Sequence, residues 1–482
     1  SWRGERVMQQ KKCQGLSLFL LASAIAIVLA LELYLFEHII DDAYISFRYA
    51  RNFVEGYGIT WNKGEDPVEG YSNILWVLLC AAFLKAGLDV VLWAKISGMI
   101  FSLANLVILR ALTKFFLPDP LKATIPSLLL SLTPSYALWA VGGLETQMFI
   151  FWLLLAVYFL IREEEGKAPP ISALFFVLLA LTRVEGAALF AVAAVLRGAK
   201  NLWQREKSRL LWIKYLAWVA LFVLIYGPYF AWRVWYYGYL FPNPVYRKGM
   251  MGEGFSSVLD FLIYESPFLL FVIFIFLRQK VRFYHLLLLT LFIAQVLIVI
   301  NVNPVMGYGI RFLLPVLPFL FVLASEAIGV LIDMMLLKRG IWIPLSIAAL
   351  LILAFYPLKD LAVTKTSVQT SARYSKAVNI ALGQWLHDEA PPTATIAVID
   401  AGAIPYYSEL RTIDTGGLND EYIAHNGFSV EYILSQRPDF IILVSVVGEE
   451  CLPIFWEEAA IFENRQFKSN YRLLKVFEGF QY

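Results

Sequence analysis

The sequence predicts an α-helical polytopic membrane protein that ends in a smaller α/β domain. Three observations carry that prediction. The chain of 482 residues is 59% hydrophobic and only 16% charged, and its mean hydropathy of +0.65 lies well above that of a soluble globular chain. Its apolar residues fall into runs, several of them reaching the roughly 20 residues that cross a bilayer. After Pro357 the composition changes to short β-branched stretches between Gly, Pro and Asp turns. A net charge of +2 offers no electrostatic footprint for nucleic acid, so no nucleic-acid partner is expected. Cys13, Cys80 and Cys451 lie far apart and show neither a disulfide framework nor metal-binding spacing.

The first segment, "SWRGERVMQQKKCQ", is basic and precedes an apolar run at residues 16–36. That run is longer than the apolar core of a cleavable leader, which makes it an uncleaved crossing with its positive flank in the cytoplasm. Asp41 and Asp42 in "HIIDDAYISFRYAR" then fall on the outer side. The helix that follows is amphipathic and is expected to lie in the interface plane, with Tyr44, Phe47, Phe53, Val54 and Tyr57 on its apolar side and Ser46, Arg48, Arg51 and Asn52 on its polar side. Residues 72–112 hold either one crossing with a short re-entrant piece or two crossings, and Arg110, Lys114 and Lys122 place the next loop inside. Residues 123–141 run outward to Glu145, and the next helix returns to "REEEGK". Two apolar pieces within 171–197 are each too short to cross and fit a half-depth hairpin with Arg183 and Glu185 at its outer tip.

The basic loop "RGAKNLWQREKSRLLWIK" is cytoplasmic by the same charge rule. A further helix rises to "YYGYLFPNPVYRKGM", and apolar runs at 268–277, 286–300, 312–332 and 341–356 bring the total to about eleven crossings. Residues 1–357 thus form a transmembrane domain and residues 358–482 an outer α/β domain. Strands are expected in "TATIAVID", "FIILVSV" and "RLLKVF", and a helix around Ala377 to His387.

With this topology Asp41, Asp42, Glu69, Glu145, Arg183, Glu185, Lys248 and Arg311 all fall at the outer boundary. Ionisable groups at that depth are expensive and mark a site by default. Each residue also has a plainer account: Asp42 can cap the following helix, and Lys248 or Arg311 taken singly can be an interfacial anchor. Together, carboxylates beside cations suit group transfer from a lipid phosphate. A carboxylate takes the proton of an incoming hydroxyl, and cations hold the phosphate as charge develops on the leaving group. Arg48, Lys248 and Arg311 are the first candidates for the phosphate and Arg183 the next, because a planar guanidinium can bind two of its oxygens.

The blocks "DDAYISFRYARNFVEGYGITWNKGEDPVEGYSNILW", "GGLET", "LTRVEG", "YYGYLFPNPVYRK", "RFLLPVLP" and "DAGAIPYYSELRTIDTGGLND" occur in that order. The series resembles the GT-C fold glycosyltransferases, most nearly the terminal β-arabinofuranosyltransferase family of mycobacterial cell-wall arabinan synthesis. The resemblance implies a GT-C enzyme of a bacterial inner membrane with its active site away from the cytoplasm. Its donor would be a polyprenyl-phosphate sugar, arabinofuranose among the candidates, and its acceptor a hydroxyl of a cell-envelope glycan, glycolipid or protein. It implies that Asp41 or Asp42 is the base, with Asp41 favoured, Asp42 as partner for donor or metal, and Glu145 completing the acidic pocket. Glu69, Tyr71, Asn73, Glu185, Tyr237, Asn243 and Tyr246 would line the pocket, and the tail would help to bind the acceptor. No cofactor is firmly implied; a divalent cation at Asp42 is left open, since no ligand set demands one. A transporter or flippase of lipid-linked sugars is the competing reading, but it would spread ionisable groups through the membrane depth instead of gathering them at one face.

Overall fold

The computed structural model describes the chain apart from residues 1, 204–208, 249–253, 279, 303–309, 338–355, 357, 359–360, 446–451 and 480–482, and apart from the side chains of 2–11, 248, 334–337 and 363. The bundle opens with α1 (Trp2–Tyr34), α2 (Asp41–Val54), α3 (Ile74–Lys85), α4 (Val90–Thr113), α5 (Ile125–Ser131), α6 (Pro134–Val141), α7 (Thr146–Glu164), α8 (Ser172–Thr182), α9 (Glu185–Trp203) and α10 (Arg209–Tyr237). It continues through α11 (Asn243–Lys248), α12 (Phe255–Tyr264), α13 (Ser266–Arg278), α14 (Phe283–Ile300) and α15 (Leu317–Leu337).

Among the described residues six spans are long and apolar enough to cross a membrane, and eight if two bent pairs each count as one. The bends are 63° before α6 and 73° before α13. Each second segment carries a proline in its first two positions, Pro134 or Pro267, where the missing N–H breaks the ladder of the preceding helix. The run at 341–356 lies, except for Tyr356, outside the described residues. Residues 72–112 resolve into α3, with only 12 residues, followed by the full-length α4.

A helical hairpin is present at 171–197, but α9 has 19 residues and the pair reaches both ends of α7, so it is not the half-depth hairpin expected. Phe176 of α8 meets Phe190 of α9 edge-on with ring centroids 5.5 Å apart, and Ser172 N–H and Arg197 both reach Glu163 at the far end. Arg183 at its tip instead reaches Glu145, at the opposite end of α7. The 19 residues of α7 separate these two polar clusters by about 27 Å.

Helix α2 does not lie solvated in an interface plane. Every residue from Ala43 to Ala50 is buried, because the helix is sandwiched between the bundle and the C-terminal domain. Ser46 and Tyr49 face the bundle, where Asn73 Nδ2 donates to Ser46 Oγ at 3.1 Å and Tyr71 packs edge-on against Tyr49. Asp41, Tyr44, Arg48 and Arg51 recur at helical spacing and face the C-terminal domain. The polar side is therefore the docking side, and the exposed residues are Phe53 and Val54 near the helix end.

The C-terminal domain holds three short parallel strands, β1 (Thr395–Val398), β2 (Arg411–Asp414) and β3 (Phe440–Ile441), in the order β2-β1-β3. Thr395 pairs with Arg411 and Ile396 with Phe440, so β1 is central and its apolar residues are fully buried. "TATIAVID" and "FIILVSV" supply β1 and β3, β2 comes from "RTID", and the strand expected in "RLLKVF" is not formed among the described residues. The helical stretch expected around 377–387 is present as a π-helical turn, Ser375–Ile380, followed by the helix Ala381–Glu389. The bundle core runs on into Ala401, Ala403 and Tyr406.

Arg48 fastens the two parts. Its Nε donates to Trp61 O at 2.9 Å, Nη1 to Pro405 O at 2.6 Å and Thr412 Oγ1 at 3.4 Å, and Nη2 to Asn62 Oδ1 at 3.0 Å and Leu410 O at 2.9 Å. A guanidinium has five N–H groups, and all are engaged by protein oxygens. Arg48 is thus a clamp and has no donor left for a phosphate. Arg48→Lys keeps the charge but offers three donors from a single point. It should lower stability by about 3 kcal/mol through the unfilled buried acceptors, measured as faster proteolysis of the C-terminal domain and a lower Tm in detergent.

Candidate active site

Helix α2 starts at Asp41 because Ile40 is extended, with φ −93° and ψ 142°. The first turn therefore presents Asp41 and Asp42 at the positive end of the helix dipole. Asp41 Oδ1 accepts from Ala403 N–H at 3.0 Å and from Asn379 Nδ2 at 3.2 Å. The same Asn379 nitrogen lies 3.4 Å from Asp400 Oδ2. A Cβ at Gly402 would stand 2.1 Å from Asp41 O and 2.2 Å from its Oδ2, so only glycine lets the loop close on the carboxylate. Burial first, and then the charges of Asp400 and Asp42, push Asp41 up to about 7 against the opposing hydrogen bonds from Ala403 and Asn379. Burial raises Asp400 as well. Asp42 is half-buried beside them.

A second cluster forms around Glu145, which is 1% exposed and precedes α7. Its Oε1 accepts from Arg183 Nη1 at 2.6 Å and Arg311 Nη2 at 3.3 Å, and its Oε2 from Asn73 Nδ2 at 2.7 Å. Arg183 Nε also donates to Glu185. Burial works against the charge on Glu145, but Arg183, Arg311 and Asn73 outweigh it and hold the carboxyl below its usual range. Glu145 is therefore an anchor for two arginines, and its partners favour its charged form. Arg183 Nη2 has no protein partner among the described residues.

A third cluster lies further along α2, near Tyr49 and so about 12 Å from Asp41. Glu69 Oε2 accepts from Arg233 Nη1 at 2.9 Å, and its carbonyl accepts Asn243 N–H at 3.0 Å. Tyr71 and Tyr237 share a hydroxyl contact of 3.0 Å, and Tyr237 donates to Ile59 O at 2.9 Å. Burial lifts Glu69 up to about 7 despite Arg233. These residues tie the loop after α2 to the end of α10 and to α11, and none of these contacts reaches Asp41. Tyr246 is exposed against the His425 ring, 4.5 Å between centroids, and the Lys248 side chain lies outside the described residues.

Asp400, Asn379 and Arg233 were not singled out from the sequence. Asp400 carried one signal, its place just past the C-terminal end of a parallel strand, where α/β sheets bind ligands. Asn379 carried none; it sits on the π-helical turn Ser375–Ile380, a distortion that recurs at functional sites. Among the described residues no three or more His, Cys, Asp or Glu side chains are grouped to hold a metal ion.

The broken and short helices, the buried α2 and the C-terminal domain closed over its acidic end make up a GT-C membrane fold. Two crystal structures of ArnT from Cupriavidus metallidurans share it, one bound to undecaprenyl phosphate and one in the apo state. Each matches with a TM-score of 0.55 at 13% identity, over 90% of this chain and 96% of that chain. Residues 366–482 match a family described as a domain of unknown function, DUF8728. No curated protein matches the chain.

Glu145→Ala would leave two buried guanidinium groups without their shared anion. A loss of about 3–5 kcal/mol is expected, with Glu145→Gln intermediate, and thermal unfolding of the purified variants measures it.

Proposed function

We propose that this chain is a membrane glycosyltransferase that moves a sugar from a polyprenyl-phosphate donor to a hydroxyl of a cell-envelope glycan, glycolipid or protein. It acts on the extracytoplasmic face of a bacterial inner membrane, and arabinofuranose is the first sugar to test. The observation that carries the reading is Asp41, an enclosed carboxylate whose proton affinity suits a general base near neutral pH. The undecaprenyl phosphate bound to ArnT makes a polyprenyl phosphate the donor lipid to try first. Arg197 and Lys200 gather with Glu163 and Glu164 at the far end of the bundle, which suits a cytoplasmic side there.

In this reading the acceptor oxygen bonds to the anomeric carbon while the bond from that carbon to the phosphate oxygen breaks. The bonding pair leaves on polyprenyl phosphate, and the hydroxyl proton passes to Asp41. Arg183, through its unoccupied Nη2, meets the charge developing on the phosphate, with Arg311 beside it on Glu145 and Lys248 as a further cation to test. Glu145 keeps both guanidinium groups oriented before the donor arrives.

Wild type and Asp41→Asn, offered radiolabelled polyprenyl-phosphate sugars with a cell-envelope extract, should differ by about 10²–10⁴-fold in transfer. Because the base must be ionised, wild-type activity should rise with pH through an apparent pKa of about 7. Label that stays on the lipid while the lipid crosses proteoliposomes would establish the transporter instead.

A further inference from the structure

We propose that Asp400, carried by the C-terminal domain, is the positioning carboxylate that makes Asp41 a base, so that the site exists only when that domain is docked. The inference rests on the transferase reading above and deepens it. Its ground is geometric. One amide nitrogen, Asn379 Nδ2, lies 3.2 Å from Asp41 and 3.4 Å from Asp400, and so holds two carboxylates from different parts of the chain side by side. Like charges at such range cannot both ionise easily, and a proton shared between them raises the proton affinity of the pair.

A second observation points to a ligand. Asn379 is 3% exposed, yet its Oδ1 has no partner among the described residues, and neither has Ser375 Oγ, four residues earlier in the same π-helical turn. Buried acceptors of this kind are costly unless something fills them. A hydroxyl-rich acceptor entering beside the pair would supply donors to both. Among the described residues the titratable groups facing the pair are Asp42 and Tyr44 from α2 and Tyr374 from the helix Leu361–Tyr374, with Glu458 behind Asp400, which comes from the loop after β1. Asp400 forms no bond to substrate. It keeps Asp41 basic enough to take the hydroxyl proton, and the clamp at Arg48 keeps Asp400 there.

The test uses the full-length protein with two readouts on wild type, Asp400→Asn and Asn379→Asp. In the first, transfer is measured against pH. Asp400→Asn removes the neighbouring charge, so the acidic limb should move to lower pH by about one unit, with a lower plateau because the base is weaker. Asn379→Asp adds a further carboxylate beside Asp41, Asp42 and Asp400 and should move the limb upward. In the second, Tm is followed against pH without any substrate. A carboxyl raised in the folded state contributes stability that is complete below its unfolded pKa of about 4 and is lost as pH rises through about 7. Asp400→Asn should therefore melt above wild type at pH 8, with the gap closing towards pH 4. An unmoved limb, or a Tm difference that does not change with pH, overturns the proposal. Wild type that transfers no sugar from any polyprenyl donor overturns the transferase reading instead, and the melting series still decides the carboxylate pair.

Discussion

The structure depends on the burial of α2 between two bodies that are distant in sequence. A helix that begins with two aspartates and carries Arg48, Arg51 and Asn52 can be buried only if each polar group finds a partner. Arg48 meets that condition with five oxygens, three of them main-chain carbonyls from the loop after α2 and from the C-terminal domain. Arg51 adds a bond to Tyr406 O at 2.7 Å and stacks over the Tyr406 ring at 3.7 Å. Once those contacts are made, the rotation of α2 is fixed, and with it the direction of Asp41. Gly402 then has to approach the aspartate backbone more closely than any side chain would allow.

Two carboxylates of the chain illustrate how environment assigns a role. Glu145 is the more deeply buried, yet two guanidinium groups and an amide keep it ionised and make it a fixed anion. Asp41 is less enclosed, but its near neighbours include Asp42 and Asp400, and its proton affinity rises. Environments that push apart two groups of the same kind separate the acid–base residue from the electrostatic support. Asn73 connects the two systems, since its amide donates both to Glu145 and to Ser46, one turn along α2 from Asp42.

The helical membrane architecture and the hairpin about Arg183 could be read from the sequence because their signals are local: run length, a mid-run Arg-x-Glu, and basic loops. Asp41, Asp42, Glu145 and Arg183 could be picked out because charge at the border of an apolar run is expensive wherever the chain goes next. The role of Arg48 could not be read in the same way. An arginine on the polar side of an amphipathic helix looks solvated until it is known that main-chain carbonyls from residues more than 350 positions later cover it. Asp400 was hidden for the matching reason. Its strand, β1, has four residues and was legible, but what its end faces depends on docking and on no local pattern. Glu69, Tyr71 and Tyr237 do come together, and Arg233, unremarked in a long apolar helix, pairs with Glu69 there.

A site assembled at this seam has a consequence for how the enzyme would handle its two substrates. In the proposed reaction the lipid phosphate would come from the bilayer and the acceptor hydroxyl from the water outside it. A base mounted on the bundle alone would face the lipid side, and one on the outer domain alone would face water. Asp41 belongs to the bundle, but its hydrogen bonds come from Ala403 and Asn379 of the C-terminal domain, so its position is set from both bodies at once. Undocking would remove Asp400 and both hydrogen bonds together and expose Asp41 to water. The carboxyl would then lose the burial and the like charge that raise it, and it would return towards an ordinary aspartate too weak to take a hydroxyl proton. If Asp41 is the base, docking of the C-terminal domain is thus a chemical requirement of its basicity.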